Sequence, residues 1–299
     1  MFTLKGRLNY RLVIKALVVC LVLSILVIGY FWVFPASNNN SPPQLKVSFF
    51  DIGQGDAALV TLPDKENILI DGGPDKNVIY KLDKYLPNQN RTIDLMILTH
   101  PDSDHLNGLV EVLKRFTVSK IFYTGVSDSN RVYREWQEII KNKNIPVLIF
   151  NGPEQLELSE NIFLKFFWPE KNINGQSLKD DNLGSLAFKL SFGKISFLFT
   201  GDINQNIEKK ILNNGVNLSA DVLKVAHHGS KTSSTIRFLE EARPHYAVIS
   251  VGEDNRLGHP NLSTILNLNK VNSRILRTDK DGDIIFTTDG EILNYKISK

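Results

Sequence analysis

Residues 99–105 read Thr-His-Pro-Asp-Ser-Asp-His, and they follow an apolar run at 93–98 that predicts a buried strand. A turn at the end of a strand makes several side chains converge, and imidazole nitrogens and carboxylate oxygens at about 2 Å suit zinc or manganese. The alternative is an ordinary strand-to-helix turn in which Asp104 caps a helix that begins near Leu106. A helix cap accounts for one carboxylate and for neither imidazole. We therefore interpret this stretch as a metal-binding motif.

A second pair of histidines also follows an apolar strand, in residues 224–230, Lys-Val-Ala-His-His-Gly-Ser. Neighbouring side chains on extended backbone face opposite ways. Only one of His227 and His228 is therefore needed as a metal ligand, and the other is available to contact a substrate phosphate. The sequence does not decide between them. Ser230 is either the N-cap of the next helix or a binding residue.

Four further loops flank short apolar strands: residues 51–56, 71–73, 197–202 and 251–260. Taken alone, each is consistent with an ordinary turn, because glycine permits backbone conformations that other residues avoid. The last loop contains Gly-His-Pro, and histidine is the usual proton donor near neutral pH, so His259 is a candidate general acid. The alternative is that Gly-His-Pro only opens the next helix.

The pattern His-x-Asp-x-Asp-His at 100–105 resembles the metal signature of the metallo-β-lactamase fold, with aspartate where the commoner form has its second histidine. Together with the flanking loops, this variant is similar to the soluble hydrolase domain of the ComEC/Rec2 competence proteins. The resemblance extends from about Leu45 to the C-terminus. It implies an α/β (α+β) fold, the αββα sandwich, and a cofactor of two divalent cations, Zn²⁺ first and Mn²⁺ as the alternative.

The resemblance also implies roles for individual residues. Asp202 would bridge the two cations, and His259 and Asn255 would serve the leaving group or a phosphate. Gln54 and Asp56 would orient ligands. The implied metal ligands are His100, Asp102, Asp104, His105, Asp202 and one of His227 and His228. Asp104 would also be a catalytic residue. Asp51 and Asp71 would support the ligands.

One departure from the family pattern affects the first metal position. Metallo-β-lactamase enzymes usually have another histidine ligand before the bridging aspartate, but this chain has none between His105 and His227. Residues 181–186 take that place and match the Asn-x-x-Ser-Leu pattern of the ComEC-like group. Asn182, Ser185 or water would complete the position, and an enzyme with one metal ion or a preference for manganese is the alternative.

The N-terminal region has a separate organisation. Residues 1–11 form a short basic segment, 12–34 an apolar run long enough for a transmembrane helix, and 35–44 a polar linker before the hydrolase domain at 45–299. The basic residues predict a cytoplasmic N-terminus and an extracytoplasmic domain on the bacterial cell membrane. The alternative is a cleaved signal peptide, although no small-x-small cleavage site precedes the linker.

Composition restricts the nature of the partners. The first 36 residues hold four of the 35 basic residues and no acid, so the remainder has 31 bases against 32 acids. The basic excess therefore gives no general argument for a nucleic-acid surface. Cys20, the single cysteine, lies in the apolar run, so any zinc in the folded domain must use nitrogen and oxygen ligands.

Short strands and helical stretches alternate from residue 45 onward, which predicts two sheets covered by helices on their outer faces. The sequence as a whole predicts a membrane-anchored metal-dependent hydrolase of phosphodiesters. The resemblance to DNA-uptake proteins makes a DNA strand the first candidate substrate. The alternatives are a phosphodiester in a cell-wall polymer or lipid head group, and a non-catalytic binding protein on the same fold.

Overall fold

A computed structural model of the protein describes residues 43–86 and 91–299. The predicted basic segment 1–11, the transmembrane segment 12–34 and most of the linker lie outside these residues, and their assignments stay predictions. Within the described ranges, no helix is long and apolar enough to cross a membrane.

The described ranges contain seventeen strands. In chain order they are β1 Leu45–Phe49, β2 Ala58–Thr61, β3 Asn67–Ile70, β4 Thr92–Ile93, β5 Leu95–Ile97, β6 Thr117–Val118, β7 Ile121–Tyr123, β8 Val147–Ile149, β9 Gln155–Ser159, β10 Ile162–Trp168, β11 Ala187–Phe192, β12 Ile195–Phe199, β13 Val222–Lys224, β14 Tyr246–Ile249, β15 Arg274–Arg277, β16 Ile284–Thr288 and β17 Leu293–Ile297.

Seven α-helices accompany these strands in the same ranges. They are α1 Asn77–Tyr85, α2 Ser103–Arg115, α3 Arg131–Lys143, α4 Gln205–Asn213, α5 Ile236–Ala242, α6 Leu262–Lys270 and the single turn α7 Thr278–Asp281, with two short 3₁₀ turns at Asp181–Gly184 and Ala226–Gly229.

The strands form two large sheets and one small one. The first sheet has the order β17-β16-β1-β2-β3-β5-β7-β8, the second has the order β15-β14-β13-β12-β11-β10-β9, and β4 pairs with β6. Strands β3, β5, β7 and β8 run parallel, as do β12 to β15, and the other pairs in the large sheets are antiparallel. Parallel neighbours need a crossover connection, and each of the six connections between parallel strands of the large sheets contains a helix.

Three apolar clusters define the layers. The inner cluster joins the two sheets, and its aromatic rings meet across them: Phe49 lies 5.7 Å from Phe199, which stacks at 5.0 Å on Phe188. A second cluster packs α1, α2 and α3 on the outer face of the first sheet, and a third packs α4, α5 and α6 on the second. The predicted four-layer αββα sandwich is therefore what the chain forms.

Alternation along single strands explains why both faces are apolar. In β3, Ile68 and Ile70 enter the inner cluster, whereas Leu69 enters the cluster beneath the helices. Strands buried on both faces read as continuous apolar runs. Residues 67–70 thus form one of the short strands that the sequence predicts from residue 45 onward.

Four of the seven helices in the described ranges have a side-chain cap at their start, and α1, α2 and α7 have none. The side chains of Asn130, Asn204, Thr235 and Asn261 accept backbone N–H groups at the starts of α3 to α6. Helix α2 differs, because Asp102 occupies the N-cap position and makes no capping hydrogen bond. Asp104, which lies in the first turn, is not the cap either. The carboxylates of the 99–105 motif are thus not used for capping.

Asp283, at the start of β16, ties the helix layer to the first sheet. Its fully buried carboxylate accepts Lys81 Nζ at 2.6 Å and Lys84 Nζ at 3.1 Å, and it also accepts Tyr85 Oη at 2.8 Å and the Asp51 N–H at 3.0 Å. Burial alone would raise the pKa of this carboxyl, but these donors lower it below 3.8.

Replacing Asp283→Ala should lower the free energy of unfolding by about 3 kcal/mol, because it leaves two lysines without their shared buried partner. Since the folded-state pKa is depressed, the contribution is present above pH 4 or so and is lost as pH falls through the lowered value. Urea titrations at pH 7 and at about pH 3 measure both effects. Glu291→Ala is the control, because its pair with Lys194 is mostly exposed, and it should cost less than about 1 kcal/mol. Equal losses for both variants would contradict the assignment.

Candidate metal centre

Strand ends from both sheets meet at one edge of the sandwich. His100 follows β5 and His105 lies in the first turn of α2, while Asp202 follows β12 and His228 follows β13. These four side chains are buried, with residue exposures of 0–3%. The carboxyl ends of parallel strands share one edge of each sheet, so the fold itself brings the two sequence motifs together.

The nitrogen and oxygen atoms of these residues face one another. His105 Nε2 lies 3.5 Å from Asp202 Oδ1, and His228 Nε2 lies 3.5 Å from Asp202 Oδ2 and 3.2 Å from Asp104 Oδ2. Within the described residues, the Nε2 atoms of His100, His105 and His228 and Oδ1 of Asp202 have no hydrogen-bond partner. Buried polar atoms without partners are costly. Their convergence is what a bound cation requires.

The donor atoms divide into two groups. One contains His100, His105 and Asp202, the other contains Asp104, His105 and His228, and within each group one ligand atom per residue lies within 4.8 Å of the others. Asp202 extends one oxygen toward each group. A donor set of imidazole nitrogen and carboxylate oxygen, without thiolate, suits zinc or manganese. The residues therefore fit a divalent metal.

Asp71 fixes the ring of His105. Its carboxylate accepts His105 Nδ1–H at 2.9 Å, the Thr99 N–H at 2.8 Å and the Thr99 hydroxyl at 2.7 Å. Because that hydroxyl proton points to Asp71, the Thr99 oxygen accepts His100 Nδ1–H at 3.0 Å. Both rings consequently present an Nε2 lone pair to the cluster. Asp71 was predicted only as a supporting residue, whereas Thr99 was missed, although it directly precedes His100.

His228 is oriented in the same manner. Its Nδ1–H donates to the backbone oxygen of Ser250 at 3.0 Å, and the same nitrogen lies 3.2 Å from Asp56 Oδ1. Asp56 in turn contacts Lys224 Nζ at 2.7 Å. Asp56, predicted to orient ligands, lies beside His228, and its role stays a prediction. Neither Lys224 nor Ser250 was given a role from the sequence.

The carboxylates of Asp56, Asp104 and Asp202 give the cluster a negative potential that favours positive charge on the histidines. Burial lowers the pKa of His228, yet the carboxylates of Asp202, Asp56 and Asp104 raise it to about 10. Burial likewise raises the pKa of Asp104, but His228 and His105 lower it to about 2. A metal ion supplies the same positive charge as these protons, so metal binding is expected to release protons.

His227 and His228 occupy different positions. Both have left-handed backbone, with φ of 50° and 52°, and their ring centroids are 6.2 Å apart at 80°. The side chain of His227 is 28% exposed, and its Nε2 lies 3.9 Å from Asp202 Oδ2. The structure thus places His228 within the cluster and His227 at its opening, where its ring lies 5.7 Å from that of His259.

The first metal position is bordered by carboxylates rather than a third histidine. Asp102 Oδ2 lies 3.6 Å from His100 Nε2, and the Asp102 side chain is one-third exposed. Burial raises the pKa of Asp181 to about 6, and the nearby carboxylates of Asp102 and Asp128 raise it in the same direction. Asp181 was not among the predicted site residues, although it opens the 181–186 stretch that replaces the expected histidine.

Asn182 and Ser185 take different places in that stretch. Ser185 Oγ accepts the backbone N–H of Asp202 at 3.1 Å and so positions the shared aspartate. Asn182 Oδ1 is buried and, among the described atoms, has no hydrogen-bond partner. Ser185 therefore acts on the backbone of the cluster, whereas the Asn182 oxygen is an unused acceptor.

Three predicted residues support loops. Asn255 uses its side-chain amide within its own loop: Nδ2 donates to Gly252 O at 3.0 Å and His259 O at 2.8 Å, and Oδ1 accepts the His259 N–H at 2.9 Å. Gln54 Oε1 accepts the Gly252 N–H at 3.4 Å and joins the first loop to the last. The Asp51 N–H donates to Asp283 Oδ1 at 3.0 Å, and Asp51 is absent from the ligand groups found among the described residues.

The structure removes one of the two interpretations of Ser230. Ser230 is not the N-cap of the next helix: Thr235 caps α5, and the Ser230 hydroxyl lies 3.0 Å from the Thr232 hydroxyl. Residues 231–234 form an irregular turn between the histidine pair and this helix. His245 lies outside the cluster: its side chain is 78% exposed, and its Nδ1 lies 3.5 Å from Asp221 Oδ1.

Gly55 permits the first loop to lie against the metal motif. Its φ is +142°, and a Cβ added there would lie 2.3 Å from the carbonyl oxygen of Asp104. That same oxygen accepts the N–H of Asp56 at 3.1 Å. A side chain at Gly55 would separate Asp56 from the cluster, so this glycine is required by tertiary contact as well as by backbone conformation.

Comparison with known proteins agrees with the fold. The profile of the metallo-beta-lactamase superfamily matches residues 50–253, and the chain belongs to that superfamily. The ComE operon protein 3 of Bacillus subtilis is 27% identical over 277 residues, which cover 84% of this chain and 34% of that protein. The competence protein ComA of Neisseria gonorrhoeae is 29% identical over 245 residues, 80% of this chain and 32% of that protein.

The chain thus spans about a third of the length of these curated relatives. Among solved structures, Tm1679, a metal-dependent hydrolase of the beta-lactamase superfamily, superposes with a TM-score of 0.52 at 14% identity, covering 78% of this chain and 95% of that one. The structural likeness supports the fold. The sequence resemblance to the competence proteins is confirmed.

Replacing Asp71→Asn should weaken zinc or manganese affinity by about 10- to 100-fold, because the amide no longer fixes the tautomer and orientation of His105. Elemental analysis and chelator competition on chelator-free protein measure occupancy and affinity. His245→Ala is the matched control, since this exposed histidine lies outside the cluster, and it should bind metal as the unmodified protein does. An Asp71→Asn variant with unchanged affinity would contradict the role assigned to Asp71.

Proposed function

We propose that the protein is a metal-dependent phosphodiester hydrolase that acts on DNA. The observation that carries this proposal is the convergence of three imidazole Nε2 atoms and the two-sided carboxylate of Asp202 in one buried cluster. Cations held there, two Zn²⁺ in our proposal and Mn²⁺ as the alternative, would activate a water molecule for attack at neutral pH and stabilise charge that develops on phosphoryl oxygens.

The residues at the opening have separate tasks in this proposal. His227, exposed beside the cluster, binds a phosphate oxygen of the substrate. His259 has a buried Nδ1 that lacks a hydrogen-bond partner among the described residues, and its ring lies 6.4 Å from that of His228. His259 donates a proton to the departing oxygen, and Asn255 holds the backbone of His259 in place.

The pKa of His259 refines this assignment. Burial, followed by the neighbouring His228 and His227, lowers the pKa of His259 below 6.5. The protonated form needed by a general acid is therefore most abundant in mildly acidic solution. Proton donation by His259 predicts a rate that falls as pH rises through the lowered pKa.

The choice of DNA is supported by the relatives, of which one is named a competence protein and another, from Haemophilus influenzae, recombination protein 2. The near-neutral charge of residues 37–299 favours a second candidate, a phosphodiester in a cell-wall polymer or lipid head group, because a nucleic-acid surface is ordinarily basic. The unused Asn182 oxygen and the missing histidine favour a third, a non-catalytic binding protein on this fold.

The membrane location is part of the proposal as well. The apolar run at 12–34 has the length of a bilayer-spanning helix, and four basic residues lie before or within its start. Positive charge on the cytoplasmic side would place residues 45–299 outside the cell membrane.

His259→Ala should retain metal and slow DNA hydrolysis by about 10²–10⁴-fold, the usual cost of losing a general acid. An aryl phosphodiester, whose leaving group needs little proton donation, should be slowed much less. The decline of the DNA rate with rising pH should disappear in this variant. Initial rates on both substrates across pH 5–8 test these expectations.

Asp104→Ala is the companion variant and should lose both metal and turnover. If His259→Ala slows both substrates equally, His259 binds phosphate instead of donating a proton. If the protein cleaves the aryl phosphodiester but does not cleave DNA with any metal tested, the proposed substrate would instead be the phosphodiester of a cell-wall polymer or lipid head group. A protein that stays metal-free after reconstitution would support the binding-protein alternative.

Protease added to intact cells should degrade the domain at 45–299, and a salt wash should leave the uncut protein in the membrane fraction. Both results follow from an uncleaved anchor with a cytoplasmic N-terminus. Immunoblotting of the fractions measures them. Release of a shortened soluble form would establish cleavage of a signal peptide instead.

A further inference from the structure

Lys224 is a buried cation at the end of β13. Its side chain is 5% exposed and that of its partner, Asp56, is 8% exposed, with 2.7 Å between Nζ and Oδ2. The ammonium also donates to the backbone oxygen of Val225 at 3.0 Å. Lysine is seldom fully buried unless it is paired. Lys224 therefore requires an explanation beyond sheet packing.

The surroundings of this pair leave little room for solvent. A cavity of about 10 Å³ lies between the sheets at this point, and it is lined by both members of the pair, by Asp71 and Thr99, and by the rings of Phe49 and Phe199. This volume admits at most about one water molecule. The charges of Lys224 and Asp56 are consequently balanced by each other rather than by solvent.

The pair leads directly to the metal centre. Lys224 contacts Asp56 Oδ2, and the other oxygen of Asp56 lies 3.2 Å from His228 Nδ1. On the opposite side of the ring, His228 Nε2 faces Asp104 and Asp202. The arrangement differs from that of Asp71 and His105, because the Nδ1–H of His228 donates to the Ser250 backbone oxygen and Asp56 Oδ1 has no hydrogen-bond partner among the described residues. Asp56 therefore acts on this ring by its charge, and Lys224 holds that charge in place.

The same region contains a third group of ligand-type residues. Asp56, Asp71 and His105 offer atoms within 4.8 Å of one another, all buried. Two buried carboxylates this close need positive charge nearby. Lys224 supplies it from within the chain.

We propose that Lys224 is a positioning residue of the metal centre: its ammonium holds the Asp56 carboxylate 3.2 Å from His228 Nδ1, where the negative charge favours the tautomer with its proton on Nδ1 and leaves Nε2 free to face the cation. Lys224 acts through Asp56 and touches no reacting group. The proposal depends on metal binding at the cluster and is independent of which phosphodiester is cleaved.

The test uses the full chain and a double-mutant cycle. Lys224→Met should weaken zinc affinity by about 10- to 100-fold, as expected for loss of an outer partner of a ligand histidine, and Asp56→Asn should do the same. The double variant should bind zinc no more weakly than Asp56→Asn alone, because Lys224 acts only through Asp56. Affinity is measured by competition with a chromophoric chelator, and melting is followed separately with excess chelator.

Lys194→Met with Glu291→Gln is the matched control, since it removes an ion pair of 2.6 Å that is mostly exposed and belongs to the β11–β12 turn and the β16–β17 turn. Zinc affinity should be unchanged in this control. If Lys224 has a purely structural role, Lys224→Met should lower the melting temperature of the metal-free protein, measured with excess chelator, but leave the zinc affinity unchanged. This result would overturn the proposal.

If Lys224→Met does not fold, the comparison of Asp56→Asn with the double variant is sufficient. The double variant contains no unpaired buried charge at this position, so it avoids the cost that a lone carboxylate would impose. Equal or tighter zinc binding by the double variant supports action through Asp56. A further tenfold loss in the double variant would show that Lys224 acts independently and would overturn the proposal.

Discussion

The arrangement of the cluster depends on the contacts that the Asp202 carboxylate makes with His105 and His228. Oδ1 lies 3.5 Å from Nε2 of His105, and Oδ2 lies 3.5 Å from Nε2 of His228. His105 belongs to α2, which follows β5 of the first sheet, whereas His228 follows β13 of the second sheet. A single buried anion thus faces ligands from both halves of the sandwich. Since its backbone N–H donates to Ser185 Oγ, the aspartate is itself fixed by the turn before β11. Any shift of one sheet against the other would separate these atoms.

The buried charged side chains of the cluster are stabilised by polar residues that surround them. Asp71 accepts three hydrogen bonds that set His105 and Thr99, and Asp56 is paired with Lys224 while it faces His228. Charged groups away from water are tolerated only when they are paired and hydrogen-bonded. The apolar layer between the sheets contains no charged side chain, whereas the side chains of His227, Asp102 and Asp104 are 28%, 33% and 27% exposed. The cluster is therefore in contact with solvent through these three residues.

Local sequence was sufficient for much of the fold and the site. The strand before the metal motif followed from the apolar run at 93–98, and the metal motif followed from residue types that no helix cap explains. Strands β8 to β10, at 147–168, were not predicted: β8 has only three residues and β9 alternates with polar residues, whereas the apolar run of β10 was a signal in the sequence that was missed. Asp181 and Lys224 were missed as site residues for another reason: each owes its role to partners from distant parts of the chain, Asp102 and Asp56.

The amino-acid sequence by itself determined the alternation of strands and helices, the donor types of the metal motif and the absence of thiolate ligands from the folded domain, because all three depend on residue identity and short-range spacing. Tertiary structure alone decided that His228 enters the cluster while His227 lies at its opening. Both residues have the same left-handed backbone, so local conformation does not distinguish them. Four residues from separate segments surround the His228 ring and hold it in the cluster: Ser250, Asp56, Asp104 and Asp202.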